Sequence, residues 1–313
     1  MAAYALRRIL AAIPVLAFVS FVTFALIRIA PGDPVLIVLG GKRVSPELIA
    51  TLRERFGLDG DPFTQYVAWI GRVLQGDLGE SYKLRQDVID LITARIPVTL
   101  QLIVLSVLLA IAVGIPLGVY QARRRDSFGD YAGSFAALIG VSSPVYFTAI
   151  LGVLVFAVWL GWVPAFGRGG PDPLDQLHHM ILPAVTLALG MIALTSRMTR
   201  SAMIEVLQSD FIEAARAKGL PERTVVIKHG LRNALIPVIT VTSLQVGFLL
   251  VGSVLVETTL GLGGLGSLVT DAIQNRDYPV IQAAVLLLVV AFTVLNLITD
   301  LLYGLIDPRI RYA

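Results

Sequence analysis

The residues most open to a chemical reading are three histidines, His178, His179 and His229, and a glycine run, GLGGLG, at Gly261–Gly266. A histidine pair can hold a metal ion or pass protons, and GxGxxG can cradle a pyrophosphate. Neither reading fits the spacing. Adjacent residues on a helix point about 100° apart, so His178 and His179 make a poor two-ligand site and are expected as an exposed pair at a helix start. With only His229 left, no catalytic triad or histidine metal centre can be assembled. The glycine run has no βαβ unit around it and no acidic residue about 20 positions on, so a flexible or re-entrant loop is expected instead. No GxxxxGK[ST] occurs, so the chain is not expected to hydrolyse ATP itself, and with no cysteine it has no thiolate chemistry or disulfides. What remains is a set of polar residues inside an apolar run: Thr242, Ser243, Gln245, Gly252, Ser253 and Glu257. Polar groups in such a place face a bundle interior or a water-filled path. Interhelical hydrogen bonding and path lining both fit, and Gln245, Ser253 and Glu257 are the candidates for lining a path.

The elements around these residues are set by composition. Of 313 residues 56% are hydrophobic and 15% charged, and mean hydropathy is +0.79, too apolar for a soluble domain of this length. The net charge of +3 and pI near 9.3 do not indicate nucleic-acid binding, because the basic residues lie between apolar runs rather than on one solvated face. A bilayer core about 30 Å thick requires roughly 20 apolar residues in helical form. Six stretches approach that length: Ile9–Ile29, Val98–Tyr120, Phe135–Leu160, Met180–Ser196, Leu235–Val256 and Val280–Leu302. The fourth is short and interrupted by Pro183. The first, behind Arg7 and Arg8, is expected as an uncleaved helix rather than a signal peptide, since no small-x-small cleavage site follows.

Six spans put both ends on one side. Arg7 and Arg8, Arg123–Arg125, the cluster from Arg197 to Arg232, and Arg309 with Arg311 fall on that side, against Arg168 and Arg276 in the short opposite loops. Both termini are therefore expected in the cytoplasm. The 31–97 segment carries eight Lys or Arg but is long enough to translocate regardless of charge. It opens with PGDP at Pro31–Pro34, which ends the first helix. Ser45, Pro46 and Glu47 then start a short amphipathic helix that closes at Gly57. A second helix, ended by Gly76, places Phe63, Tyr66, Val67, Ile70 and Leu74 on one stripe, as for a cap on the outer membrane surface. Pro144 should kink the third span, and GIPLG at Gly114–Gly118 is a GxxxG suited to close helix packing.

The segment EAARAKGLPERTVVIKHGLRNALIP, from Glu213 to Pro237, interrupts the apolar runs with basic, helix-forming sequence. Asp210 can cap a helix with Glu213 in a capping box, Lys218 suits its negative end, and Gly219 can take the left-handed conformation that stops it. Pro221 suits the first turn of another helix, so Gly219, Leu220 and Pro221 form a corner. Phe211 and Ile212 make a small apolar face for a membrane-surface helix, whereas Ala214, Ala215 and Ala217 would let a partner approach the backbone. A basic surface loop and a docking helix both remain open on these grounds.

EAARAKG followed by LRNALIP resembles the cytoplasmic EAA motif of ABC-importer permeases, the segment that inserts into a groove on the ATP-hydrolysing subunit. Pro237 follows Glu213 by 24 residues, a longer spacing than the family's short consensus and similar to that of its peptide and nickel branch. LRRILAAIPVLAFVSFVTFALIRIAPGDP, FGLDGDPFTQYVAWIGRVLQGDLGESY, VETTLGLGGLGSLVTDAIQNRDYPVIQ and GLIDPRIRY resemble the first permease chain of dipeptide and oligopeptide importers, so the likeness covers nearly the whole chain. Leu262-Gly263 stands where that branch commonly has Trp-Pro.

The resemblance implies an all-α membrane protein with the six-helix type I importer permease fold. It divides the chain into an N-terminal span at 1–30, an extracytoplasmic helical region at 31–97, a core at 98–308 with a coupling segment at 210–237, and a cytoplasmic tail at 309–313. It further implies multi-pass placement in the inner membrane, a second, homologous permease chain, two ATP-binding subunits or one fused ATPase, and an extracytoplasmic solute-binding protein. No cofactor is expected on this chain, with ATP and Mg on the ATPase subunits. Asp210, Phe211, Glu213, Ala214, Ala215, Lys218, Gly219, Leu220 and Pro221 are the implied ATPase-docking residues. Peptides are the implied substrate, with nickel chelates, glutathione or another small solute as alternatives. A membrane receptor recruiting a non-ATPase partner and a secondary transporter are the competing classes, and the second lacks an obvious buried acidic or histidine relay.

Overall fold

A computed structural model describes residues 2–29, 35, 45–55 and 61–306. The expectations placed on Pro31–Pro34, Gly57, Arg309 and Arg311 lie outside the described residues. The chain divides into two compact units, Thr99–Leu262 with Leu295–Ala313, and Ala2–Val98 with Gly263–Val294. The described elements are helical, apart from loops and one isolated bridge between Glu80 and Asp87.

In the second of these units, α1 (Ala2–Ile29) is followed by α2 (Pro46–Arg55) and α3 (Pro62–Leu74). Asp61 caps α3, accepting from the Phe63 and Thr64 amides, and Pro62 fills the first helical position where a missing N–H costs nothing. Tyr66 and Trp69 pack on Phe24 of α1, and the Tyr66 hydroxyl lies 2.8 Å from Ser20 Oγ. The packed face therefore includes Trp69, while Phe63 and Leu74, at 71% and 82% exposure, point away from it. The expected single stripe is thus divided between a helix contact and an apolar outer face.

The same unit contains α4 (Val88–Thr93). Its Val88 and Ile92 form a core with Leu265, Leu268, Val269 and Ala272 of a later helix and with Val280, Ala283 and Ala284. Asp277 ties the surrounding loop together: one carboxylate oxygen accepts from Ser81 Oγ at 2.5 Å and the other from the Tyr82 amide at 3.0 Å. The segments GDLGESY and NRDYP, far apart in sequence, meet at this carboxylate.

The other unit is organised by α5 (Ile96–Arg123, from Thr99 onward), α6 (Phe128–Ser142), α7 (Val145–Gly152), α8 (Pro173–Leu207), α9 (Asp210–Ala217) and α10 (Arg232–Leu260). Lipid tails are as apolar as Leu, so membrane helices associate through small residues that allow close approach. Gly118 sits so close to α8 that a Cβ there would lie 2.5 Å from the Ser196 carbonyl oxygen and from Thr199 Cβ, and one at Gly114 would lie 2.9 Å from Thr195 Cβ. The GIPLG motif is thus the α5–α8 contact. Gly140 of α6 and Gly252 of α10 similarly abut α8 at Ala193 and Leu187. Helix α8 is central to this unit.

Two expectations about the spans require correction. The fourth is not short: α8 runs unbroken for 35 residues with Pro183 buried inside it. Packing around a membrane helix can compensate for the one backbone donor a proline removes. The third is not one kinked helix. Ser143 and Pro144 are both extended, with ψ of 130° and 134°, and α6 and the helix beyond differ in direction by 110°. Proline disfavours helical geometry in the residue before it and cannot complete the bond to the carbonyl four residues back; at Ser143–Pro144 two successive extended residues turn the chain. Beyond α7 the backbone continues as a π-helix over Val153–Trp159. Among the described residues five helices are long and apolar enough to cross a membrane, six if the bent pair counts as one span.

The GLGGLG run joins the end of one helix to the start of the next. Gly261 ends α10 at φ +65°, and Gly263 has φ +72°. A new helix, α11 (Leu265–Asn275), begins within the motif, followed by α12 (Tyr278–Ile306).

Candidate coupling segment and buried polar sites

The basic segment from Asp210 to Pro237 folds as α9, a corner and a π-helix leading into α10. Ser209, not Asp210, occupies the N-cap position, and Asp210 is the first helical residue. The Ser209 hydroxyl donates to the Val206 carbonyl at 2.5 Å instead of capping the helix, so the expected capping box does not form. The dipole argument survives the shift, because Asp210 and Glu213 still lie in the first turn.

Two residues hold α9 in place. Ile212 and Ala215, one turn apart on one face, are buried with Val225 against Val206 and Leu207. Ala215 is therefore turned inward, away from any partner surface. Phe211, Glu213, Ala214, Lys218, Gly219, Leu220 and Pro221 are exposed, with Asp210 also lying on the exposed side. The outward face thus offers one aromatic ring, one carboxylate and a bare patch of backbone at Ala214.

The corner has the expected geometry at its centre. Gly219 has φ +76°, in the left-handed region that costs an L-residue about 1–2 kcal/mol, and its amide donates to the Arg216 carbonyl at 2.9 Å. Pro221 stands just before a single helical turn, Glu222–Thr224. Across the corner, Arg216 donates to both carboxylate oxygens of Glu222, at 3.0 and 3.2 Å. This fork raises the Arg216 pKa above its ordinary value through the hydrogen bond to Glu222. The π-helix over Val225–Leu231 follows, and its Gly230 packs near Met203 and Leu207 of α8.

A second polar site, between α6 and α8, was not singled out from sequence. Asp130 is buried, and its carboxylate accepts from Arg200 Nε at 2.6 Å, from Arg200 Nη2 at 2.7 Å and from the Asp126 amide at 3.0 Å. The signal is Asp130 in the first turn of α6, beside the apolar run of the third span, with Arg200 on α8: a carboxylate in such a place requires a partner.

Of the three path candidates, Gln245 is half-buried, while Ser253 and Glu257 have no exposure at all. Ser253 Oγ donates to the Leu250 carbonyl at 2.9 Å, and Glu257 Oε1 accepts from Thr99 of α5 at 2.7 Å. In this conformation the two residues pack inside the chain. His178 and His179 lie at the start of α8 and bond to different carbonyls, those of Trp162 and Asp175. Among the described residues no group of three or more His, Asp or Glu could hold a metal ion.

Residues 114–312 match the family described as binding-protein-dependent transport system inner membrane component, and residues 1–103 match that system's N-terminal membrane component. The dipeptide transport system permease protein DppB of Alkalihalophilus pseudofirmus is 40% identical, with 100% of each chain covered. The oligopeptide transport system permease protein AppB of Bacillus subtilis is 42% identical, again over 100% of each. The glutathione transport system permease protein GsiC of Salmonella choleraesuis is 41% identical over 99% of each. Among solved structures, a chain of the MetNI methionine ABC transporter in an inward-facing conformation superposes with a TM-score of 0.57 at 21% identity, covering 69% of this chain and 96% of that one.

Proposed function

This chain belongs to the family of inner membrane components of binding-protein-dependent transport systems, and on that premise we propose that it forms half of a translocation path for peptides. It is an integral, multi-pass membrane permease subunit of an ABC importer, a class that works with ATPase and substrate-binding components. Peptide transport is supported by the dipeptide and oligopeptide relatives; the glutathione relative keeps a modified tripeptide within the same chemistry. Its partner across the path is a second, homologous permease chain, and both termini face the cytoplasm.

ATP hydrolysis is left to the partner subunits. Closure of the ATPase pair moves docked helices, and these swing the bundle between its two open states. The observation that carries this reading is α9: it is fixed from behind by Ile212 and Ala215 and exposed in front at Phe211, Glu213 and Ala214. A helix held on one face and bare on the other transmits displacement instead of absorbing it. In this reading Glu213 pairs with a basic residue of the ATPase, and Gln245 lines the path. Ser253 and Glu257 would reach the path only in another conformation.

Because the chain has no cysteine, single-cysteine variants give a clean background. Ala214→Cys should form a short cross-link to the co-purified ATPase, while Ala215→Cys, at 7% exposure, should not. A P-loop ATPase that fails to co-purify, or equal cross-linking at both positions, would overturn the docking assignment. Recruitment of a different soluble protein would favour the receptor reading.

A further inference from the structure

The end of α5 and the π-helix over Val225–Leu231 border an open cavity of about 610 Å³ that none of these roles uses. One wall is apolar, with Ile115 and Val119 from α5 facing Ile227 and Leu231, and the rim carries Arg123 and Arg124. The nearby carboxylates have other hydrogen-bond or ion-pair partners, although Glu222, bonded to Arg216, also feels the charge of Arg123 from farther away. Glu222 holds Arg216, Asp126 lies 3.6 Å from Arg125, and Asp130 holds Arg200. The Arg124 guanidinium lies over the Tyr120 ring, 5.4 Å from its centroid. Among the described residues the salt bridges bring no carboxylate to Arg123 or Arg124.

Two guanidinium groups above an apolar wall, at the end of a membrane span, match a ligand with an anionic head and a hydrocarbon body. Guanidinium forks bind phosphate oxygens, and basic pockets between membrane helices suit anionic lipid headgroups. Free phosphate would use the rim and leave the wall bare. We propose that this cavity binds an anionic phospholipid of the inner leaflet, its phosphate held by Arg123 and Arg124 and its glycerol and upper acyl segments laid along Ile115, Val119 and Leu231. The leaflet assignment rests on the cytoplasmic placement of this end of α5. A lipid here would bridge α5 and the π-helix that follows the coupling corner.

The test uses the full transporter, purified with its partner chains in mild detergent, and native mass spectrometry with added phosphatidylglycerol, phosphatidylcholine or inorganic phosphate. Phosphatidylglycerol should be retained in preference to phosphatidylcholine, and inorganic phosphate should not displace it. R123Q/R124Q should weaken its binding about 30-fold, from about fivefold per arginine near a membrane surface. R125Q, whose guanidinium lies beside Asp126 and outside the cavity, should bind as the parent does. Unchanged binding in R123Q/R124Q, equal loss in R125Q, or displacement by phosphate alone would each overturn the proposal. So would a cross-link from V119C to a partner chain, which would show protein filling the cavity. Failure of the importer reading would appear separately, as absence of an ATPase mass in the same spectra.

Discussion

Replacing Gly219 with valine perturbs the backbone and little else. A Cβ at this position would meet no atom within 4 Å, so no clash is introduced. The cost comes from φ +76°, and for an L-residue in that region it is about 1–2 kcal/mol, towards the upper end for a β-branched side chain. The bonds that could yield are local: the Gly219 amide to the Arg216 carbonyl at 2.9 Å, the Leu220 amide to the Ala215 carbonyl at 3.4 Å, and the exposed Arg216–Glu222 fork. The buried contacts of Ile212, Ala215 and Val225 should persist, so the corner opens while the bundle stays folded. A shift of about 1–2 kcal/mol lowers the ratio of formed to opened corner by roughly 5–30-fold. In proteoliposomes containing the full transporter, uptake and transport-linked ATP hydrolysis should fall by up to that factor, with yield and membrane insertion unchanged. Gly219→Asn should keep most of the activity, because asparagine tolerates the left-handed region. Normal coupling in the valine variant would refute the reasoning. An asparagine variant as impaired as valine would place the effect on the docking surface rather than on backbone strain.

Asp130→Asn leaves Arg200 without its counter-charge in a site where the Asp130 side chain is only 2% exposed, and should destabilise the protein by about 3–5 kcal/mol, read as a lowered thermal-inactivation temperature in detergent. An unchanged temperature would mean that water replaces the pair without cost. Gly118→Ala should separate α5 from α8 and sharply reduce folded protein on size exclusion, because its Cβ would stand 2.5 Å from the Ser196 carbonyl oxygen. Gly71→Ala in α3, with open space around it, should be neutral or stabilising by about 0.5–1 kcal/mol.

Hydropathy follows from the order of residues along the chain, so most of the apolar spans, the helices between the first and second spans and the interrupting basic segment could be read directly. The left-handed corner at Gly219 could be read as well, since few residues other than glycine adopt that backbone and a proline follows two positions on. The resemblance carried by the basic segment and four further stretches pointed to the family that the family match and the relatives show. Other details depended on neighbours that sequence does not name. Asp210 and Ser209 are both good capping residues, and the choice between them turned on where the Ser209 hydroxyl found its carbonyl. Alanines 214, 215 and 217 look alike in the sequence; only the position of Val225, Val206 and Leu207 decided which of them faces inward.

What the sequence determined by itself is therefore what depends on local chemistry: which stretches are apolar enough for a bilayer, where a left-handed glycine turns the chain at Gly219, and that no chemistry of cysteine is available. What only the tertiary structure decided is what depends on pairing over distance. It joined Asp130 to Arg200, Ser81 to Asp277 and Thr99 to Glu257, and it broke the third span into two helices at Ser143–Pro144. A buried polar group must find a partner, but its own residue type leaves that partner open; the packing of the helices selects it.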